Sequence, residues 1–370
     1  VNFGSKIGAI LAAAGSAVGL GNIWRFPYEA GNHGGAAFIL VYLACVFILG
    51  MPIMIAEFTV GRRAKASTGK AFGILAPGTQ WKWLGRLGVL SGLLILGYYS
   101  VVAGWTLEYI ITSLSNGFAG KGPEDYVAIF QNFSQDPIRP IIWCLVFLFL
   151  THFVIVKGVK DGIEKSSKVL MPVLFILILV LAVCSMSLPD ASKGLEFLLK
   201  PDFSKVNADV FLGAMGQAFF TLSVGFGAIA IFGSYMSERH KILNEAIFIA
   251  LFDTIVAFLS GLVIFPACFT YGISPDAGPN LLYLTMTVVF SHMTFGTFWG
   301  SLFFLFMLIA AISTMIAVFE SSIAGTIELL KVKRLTAVII NFVVIITLCL
   351  LPLLGYNLLS DVKLINGRFD

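Results

Sequence analysis

The segment Gly15-Ser16-Ala17-Val18-Gly19-Leu20-Gly21-Asn22-Ile23-Trp24-Arg25-Phe26-Pro27 joins polar groups able to hold an ion or ligand to a backbone poorly suited to a helix. Three glycines within eleven positions weaken helical structure. Asn22 and Arg25 are costly in hydrocarbon unless they line a cavity or are paired. A helix interrupted at membrane depth is tolerated only where its freed backbone groups meet protein, water or a bound ion. The segment therefore reads as half of a binding site. Its echo, Val224-Gly225-Phe226-Gly227, lies far along the chain beside Thr221 and Ser223. A third element is Asp253, in the apolar run from Ile249 to Phe265 with no basic residue in reach along its helix. An unpaired carboxylate there costs several kcal/mol, so it needs a cation, a proton or a hydrogen-bond cluster. The competing reading of the glycines is close helix packing, and Gly15-x-x-x-Gly19 fits that spacing. A phosphate loop is excluded, because no Gly-Lys-Ser/Thr follows.

The elements that must position these groups are membrane helices. The chain has 370 residues, 58% hydrophobic and 12% charged, against about 25% charged in soluble domains. Apolar runs long enough to span a bilayer occur at roughly 7–31, 36–60, 86–114, 139–156, 166–187, 210–235, 242–270, 297–327 and 335–353. The segment around 276–295, broken by Pro275, Pro279 and His292, is expected to be a re-entrant or surface hairpin on the outside. The first run continues into the glycine motif and is not expected to be a cleavable leader. All five cysteines lie in apolar runs without CxxC spacing, which implies neither disulfides nor a metal site. Basic residues crowd alternate connections: Arg62, Arg63, Lys65, Lys70, Lys82 and Arg86, then Lys157 to Lys168, then Arg239 and Lys241, then Lys331, Lys333 and Arg334. The N-terminus is thereby expected in the cytoplasm of a plasma (inner) membrane. Five spans separate the two glycine motifs, and an odd number forces the second copy upside down. Paired interrupted helices at matching positions of inverted halves point to a transporter's central site.

The residues GSAVGLGNIWRFP, GMPIMIAEFTVGR (50–62), GYYSVVAGWTL (97–107), QAFFTLSVGFG (217–227) and AAISTMIA (310–317) resemble the neurotransmitter:sodium symporter family, and particularly its bacterial amino-acid branch. The resemblance covers essentially the whole chain. It implies an all-α polytopic membrane protein with a five-plus-five inverted-repeat transporter fold and unwound helices 1 and 6. Residues 1–187 would form the first repeat and 188–370 the second. Against that pattern the chain is expected to be truncated at Asp370, before helix 10, and to start at the foot of helix 1.

The resemblance also implies site residues. Two sodium ions are expected, and sodium prefers oxygen ligands. The first would use Ala17, Asn22, Thr221 and Asp253 with the substrate's carboxylate; the second would use Gly15, Val18, Ala310, Ser313 and Thr314. On their own residues, Ser313 and Thr314 read equally as hydroxyls bonded back into their helix. The substrate pocket would be Ser16, Ala17, Leu20, Gly21, Ile95, Tyr99, Phe220, Thr221, Ser223, Phe226, Thr314 and Val318. Tyr99 would donate to a carboxylate, and the wall of Ile95, Phe220, Phe226 and Val318 would face an apolar or aromatic side chain. Gly19 stands where amine-carrying relatives have aspartate, which argues for an amino acid. Asp253 stands where chloride-dependent relatives lack a charge, which argues against a chloride requirement. Arg25 with Gln217 would form the outer gate, and Glu328 beside Ser234 and Tyr235 the inner one. Glu57 would bind the backbone of the unwound sixth helix.

Together these imply a sodium-coupled symporter of apolar or aromatic L-amino acids working by alternating access. It would act as a monomer or homodimer among membrane lipids, with no organic cofactor and no nucleic acid. An ion channel or receptor on the same framework is the alternative, but channels need a continuous polar lining or repeated filter segments. An enzyme is not expected: His33, His152, His240 and His292 are scattered, with no HExxH.

Overall fold

The computed structural model describes residues 3–237, 241–274 and 281–356, and among these all regular structure is helical. The first span is two helices, α1 (Lys6–Ala17) and α2 (Gly21–Asn32), bent by 46° at the break between them. Next come α3 (Ala36–Ala64) and the short α4 (Thr68–Leu75). They are followed by α5 (Lys82–Leu114) and a short α6 (Pro123–Ser134). Then come α7 (Arg139–Val156), α8 (Val159–Met186) and the short α9 (Ala191–Leu199). The sixth span is again two pieces, α10 (Ala208–Thr221) and α11 (Ala228–Tyr235). The remainder is α12 (Ile242–Thr270), α13 (Leu282–His292), α14 (Gly296–Leu330) and α15 (Arg334–Gly355). Each apolar run read from the sequence is a helix or a broken helix at the expected place; α6 and α9 are short helices in connections that hydropathy does not flag.

The stretch read as a re-entrant or surface hairpin at 276–295 is, over its described part, the short helix α13, whose Leu282, Tyr283, Met286 and Val289 are buried, so it enters the bundle rather than lying on its surface. Tyr283 stands edge-on to Trp105 and Tyr109, and its hydroxyl donates to the Val102 carbonyl at 2.7 Å. An apolar face whose tyrosine hydroxyl is satisfied gains more by packing on α5 than by lying on a surface. Residues 276–280 of that expectation lie outside the described set.

The two broken spans are built alike. Ser5 caps the start of α1, accepting from Gly8 N at 3.1 Å, and Asn207 caps α10, accepting from Val210 N at 2.9 Å. Helix α1 ends where Val18 turns extended, at φ −75° and ψ 104°. In the α10–α11 break Ser223, Gly225 and Gly227 have φ of 53°, 86° and 80°. Two of these three are glycine, the residue that enters this region without a steric penalty. The C-termini of α1 and α10 thus face the middle of the molecule, as do the N-termini of α2 and α11, presenting opposite dipole ends around one point.

Helix α14 is the axis of the bundle: 83% of its central window is buried, against 33% for α8. Outward stripes such as Val169, Ile176 and Val183 on α8, or Leu335, Ile339 and Val343 on α15, are exposed. A stripe of large apolar side chains at helical spacing is what a lipid-facing surface requires. At the end of the bundle away from the basic loops, Glu108 on α5 accepts from Arg139 and from the Trp143 ring N–H.

Candidate functional site

The first break places carbonyl oxygens against two hydroxyls of α14. Thr314 Oγ1 donates to Val18 O at 3.1 Å and lies 3.3 Å from Gly15 O. Ser313 Oγ lies 3.3 Å from Val18 O and donates to Ala310 O at 2.9 Å. Gly15, Val18, Ala310, Ser313 and Thr314 therefore converge in one oxygen-rich cluster. Both hydroxyls reach across to α1, although Ser313 also bonds back into its own helix.

A second cluster surrounds Asp253, whose side chain is fully buried on α12. Asn22 Nδ2 donates to Asp253 Oδ1 at 2.7 Å and to its carbonyl at 3.0 Å. Thr221 Oγ1 lies 3.1 and 3.0 Å from the two carboxylate oxygens. These partners are neutral, so they lower the cost of burying the charge without cancelling it. Asn22 Oδ1 in turn accepts from Gly19 N at 3.0 Å, which ties the break in α1–α2 to the carboxylate. Carboxylate, amide, hydroxyl and carbonyl oxygens are the donor set of a hard cation, not of a thiophilic metal.

Between the clusters is a cavity lined by Ala17, Gly19, Gly21, Ile95, Leu96, Tyr99, Phe220, Ser223, Phe226, Thr314, Met315 and Val318. The Tyr99 hydroxyl accepts from Leu20 N at 2.9 Å and meets the Thr314 hydroxyl at the cavity wall. Ser223 Oγ donates to Ser16 O at 2.7 Å, joining the two breaks directly. Gly19 is there for space: a Cβ on it would stand 2.2 Å from Thr314 Oγ1 and 2.7 Å from Tyr99 Oη. The Phe220 and Phe226 rings meet edge-on at 6.1 Å. The enclosed space is about 20 Å³, close to what a single water needs, so a larger guest must spread this wall. Glu57 of α3 accepts from Gly225 N at 2.6 Å, clamping the second break from outside.

Toward the end of α2, Arg25 Nη1 reaches Gln217 Oε1 at 3.3 Å, and Gln217 Nε2 donates to Gly21 O at 3.0 Å. Arg25 also lies over the Phe220 ring, 5.2 Å from its centroid. Sequence reading missed its acidic partner Glu29, 3.2 Å away; the i,i+4 spacing on one short helix was the available signal.

At the basic end, Ser234, Tyr235 and Glu328 line one cavity of about 260 Å³, and each has its own bonding partners. Glu328 accepts from Ser67 N at 2.8 Å and Ser67 Oγ at 2.6 Å. Tyr235 donates instead to Glu320 Oε1 at 2.8 Å, and the Ser234 hydroxyl turns back to Ile231 O. Glu320, fully buried, also pairs with Arg334 at 2.5 Å. Tyr235 goes to Glu320 because that carboxylate lies two turns deeper on α14, beside the end of α11. The reasoning that singled out Asp253, a carboxylate in an apolar run, would have found Glu320 too.

Comparison with known proteins bears on the same residues. The sodium:neurotransmitter symporter family profile matches residues 1–123 and 134–360. The sodium-dependent transporter YhdH of Bacillus subtilis is 39% identical over 373 residues, covering 100% of this chain and 82% of that protein. A sodium-dependent transporter of Haemophilus influenzae is 36% identical over 97% of this chain and 81% of its own length. Among solved structures, MhsT in complex with L-phenylalanine superposes with a TM-score of 0.93 at 40% identity, over 99% of this chain and 83% of that one. With two broken spans facing each other around a buried carboxylate, and with these matches along nearly its whole length, the chain belongs to the sodium:neurotransmitter symporter family.

Proposed function

We propose that this sodium-coupled transporter carries apolar or aromatic L-amino acids by alternating access, with two sodium ions and without chloride. The observation that carries the reading is the pairing of oxygen clusters on either side of one cavity: Gly15, Val18, Ala310, Ser313 and Thr314 on one side, Asn22, Thr221 and Asp253 on the other. A substrate carboxylate beside Tyr99 and the N-terminus of α2 would complete the Asp253 cluster around sodium, so that ion and substrate each strengthen the other's binding. Ala17, with Ser16, Leu20 and Gly21, supplies backbone at this point.

The substrate class rests on the wall. Ile95, Phe220, Phe226, Met315 and Val318 offer nothing to a charged side chain, and an unpaired charge among them costs several kcal/mol. Gly19 has no room for a countercharge to a bare amine. Chloride independence rests on Asp253, which places a fixed negative charge where an anion would otherwise serve. The two inverted repeats are residues 1–187 and 188–370, and the basic end faces the cytoplasm, as its loops require. MhsT, in its complex with L-phenylalanine, is an amino-acid-binding relative at 40% identity.

The test is a thermal-shift screen of the purified protein against the twenty amino acids and their decarboxylated amines, in sodium or in potassium. A ligand of the folded state raises apparent stability by RT ln(1 + [L]/Kd). Apolar or aromatic L-amino acids should shift the protein in sodium only, and proteoliposome uptake of the hits should follow a sodium gradient and saturate. Shifts by tryptamine, by lysine or glutamate, or equally in potassium would refute the assignment.

A further inference from the structure

The segment that carries Phe226 is held at both ends, on one side by Glu57 and on the other by an element that sequence reading leaves without a role. Gly225 N donates to Glu57 on α3 at 2.6 Å. Two residues on, Gly227 O accepts from Thr68 Oγ1 at 2.7 Å. Thr68 opens α4, the short helix between the second and third spans, and it is buried. Its neighbour Ser67, also buried, is gripped by the Glu328 carboxylate through both its N–H and its hydroxyl. Lys70, one turn further, donates to the Glu328 carbonyl at 2.7 Å. Helix α4 cannot tilt independently of α5, because Gly85 packs so closely that a Cβ there would stand 2.2 Å from Thr68 O.

Two adjacent residues of one rigid turn therefore hold two distant points: the carboxylate at the cytoplasmic cavity and the carbonyl next to the substrate wall. The wall has to spread to admit a guest, and Phe226 lies in its non-helical part. We infer that Thr68 is a positioning residue that couples the substrate cavity to the cytoplasmic gate: α4 transmits movement of Phe226, through Gly227, to Ser67 and Glu328. The inference rests on the transport reading above and adds the route by which substrate occupancy reaches the inner gate.

The experiment uses the full chain with one reporter cysteine at Ala324, which lines the cytoplasmic cavity. Maleimide labelling is followed in sodium alone and in sodium with L-phenylalanine or L-leucine, with the chain lacking the reporter as the blank. In the parent, amino acid changes the labelling rate. In Thr68→Val, which keeps the shape and removes the donor, that change falls by about fivefold, the weight of one hydrogen bond, and Thr68→Ser restores it. A merely structural role would lower thermal stability yet leave the ratio with and without amino acid at the parent value; that result overturns the inference and leaves the transport reading standing. Should Thr68→Val fail to assemble, Glu328→Ala removes the acceptor of both Ser67 bonds, and a parental ratio there is equally fatal. If the parent responds to neither amino acid in sodium, while binding them in no other assay, the transport reading falls and takes the inference with it.

Discussion

Replacing Gly19 by alanine adds one methyl group at the most crowded point of the site. The new Cβ would stand 2.2 Å from Thr314 Oγ1, 2.7 Å from Tyr99 Oη and 3.1 Å from Thr314 Cβ. Neither side chain is free to retreat. Tyr99 Oη holds Leu20 N, and Thr314 Oγ1 donates to Val18 O. Overpacking of this kind costs about 1–3 kcal/mol, and displacing one of the two hydroxyls loses a hydrogen bond of about 1 kcal/mol. The sum, about 2–4 kcal/mol, corresponds to about 30- to 700-fold weaker binding if it falls on the liganded state. Gly15 is the control within the same segment: its Cβ would meet the flexible Met171 Sδ at 3.2 Å, so Gly15→Ala should be much milder. Sodium-dependent equilibrium binding of a labelled apolar amino acid, with thermal stability measured alongside, separates the two variants. Gly19→Ala binding within about threefold of the parent would refute the steric argument, since that difference is well under 1 kcal/mol. Gly19→Asp should be worse still, because it also sets a second carboxylate against the substrate's own.

Asn22→Ala and Thr314→Ala should each abolish sodium-dependent binding at ordinary concentrations, the loss of an ion ligand being worth on the order of 1–3 kcal/mol; parental sodium titrations in both would dismiss the two clusters as ion sites. Replacing chloride by gluconate should leave uptake unchanged, whereas Asp253→Asn should weaken sodium binding or create an anion requirement; a steep fall of parental uptake without chloride would contradict the role given to Asp253. Glu320→Ala should destabilise the fold by about 3 kcal/mol, at the low end for breaking a buried pair because Arg334 keeps its bonds to Ile155 O. Parental melting of that variant would show the pair to be idle.

How much of this was legible in the sequence depends on what each residue must do locally. The spans follow from hydropathy, and both breaks from glycine chemistry, because these are properties of a dozen consecutive residues. For α13 the sequence left a re-entrant or a surface segment open, since the choice depends on burial against Trp105 and Tyr109 of α5. The cluster of Ser313, Thr314, Gly15 and Val18 could not be read from hydroxyl positions alone: a serine or threonine in a helix bonds back to its own carbonyls by default, and Ser313 does so as well. Only the resemblance pointed across to α1. Thr68 gave no signal at all, because a threonine at the start of a short helix between spans has an ordinary capping role.

Asp253 and Glu320 show where such reading stops. Both are fully buried carboxylates in apolar helices, and residue type and surroundings along the chain treat them alike. The fold separates them. Glu320 meets Arg334 across the turn between α14 and α15 and receives the Tyr235 hydroxyl, so its charge is compensated within the protein. Asp253 meets the Asn22 amide and the Thr221 and Tyr42 hydroxyls, all neutral, beside the C-terminus of α10 and the N-terminus of α2. A buried negative charge surrounded only by neutral partners is costly unless a proton or a mobile cation joins it. On the proposed reading, this cost, which Arg334 offsets at Glu320, is what sodium binding at Asp253 would relieve.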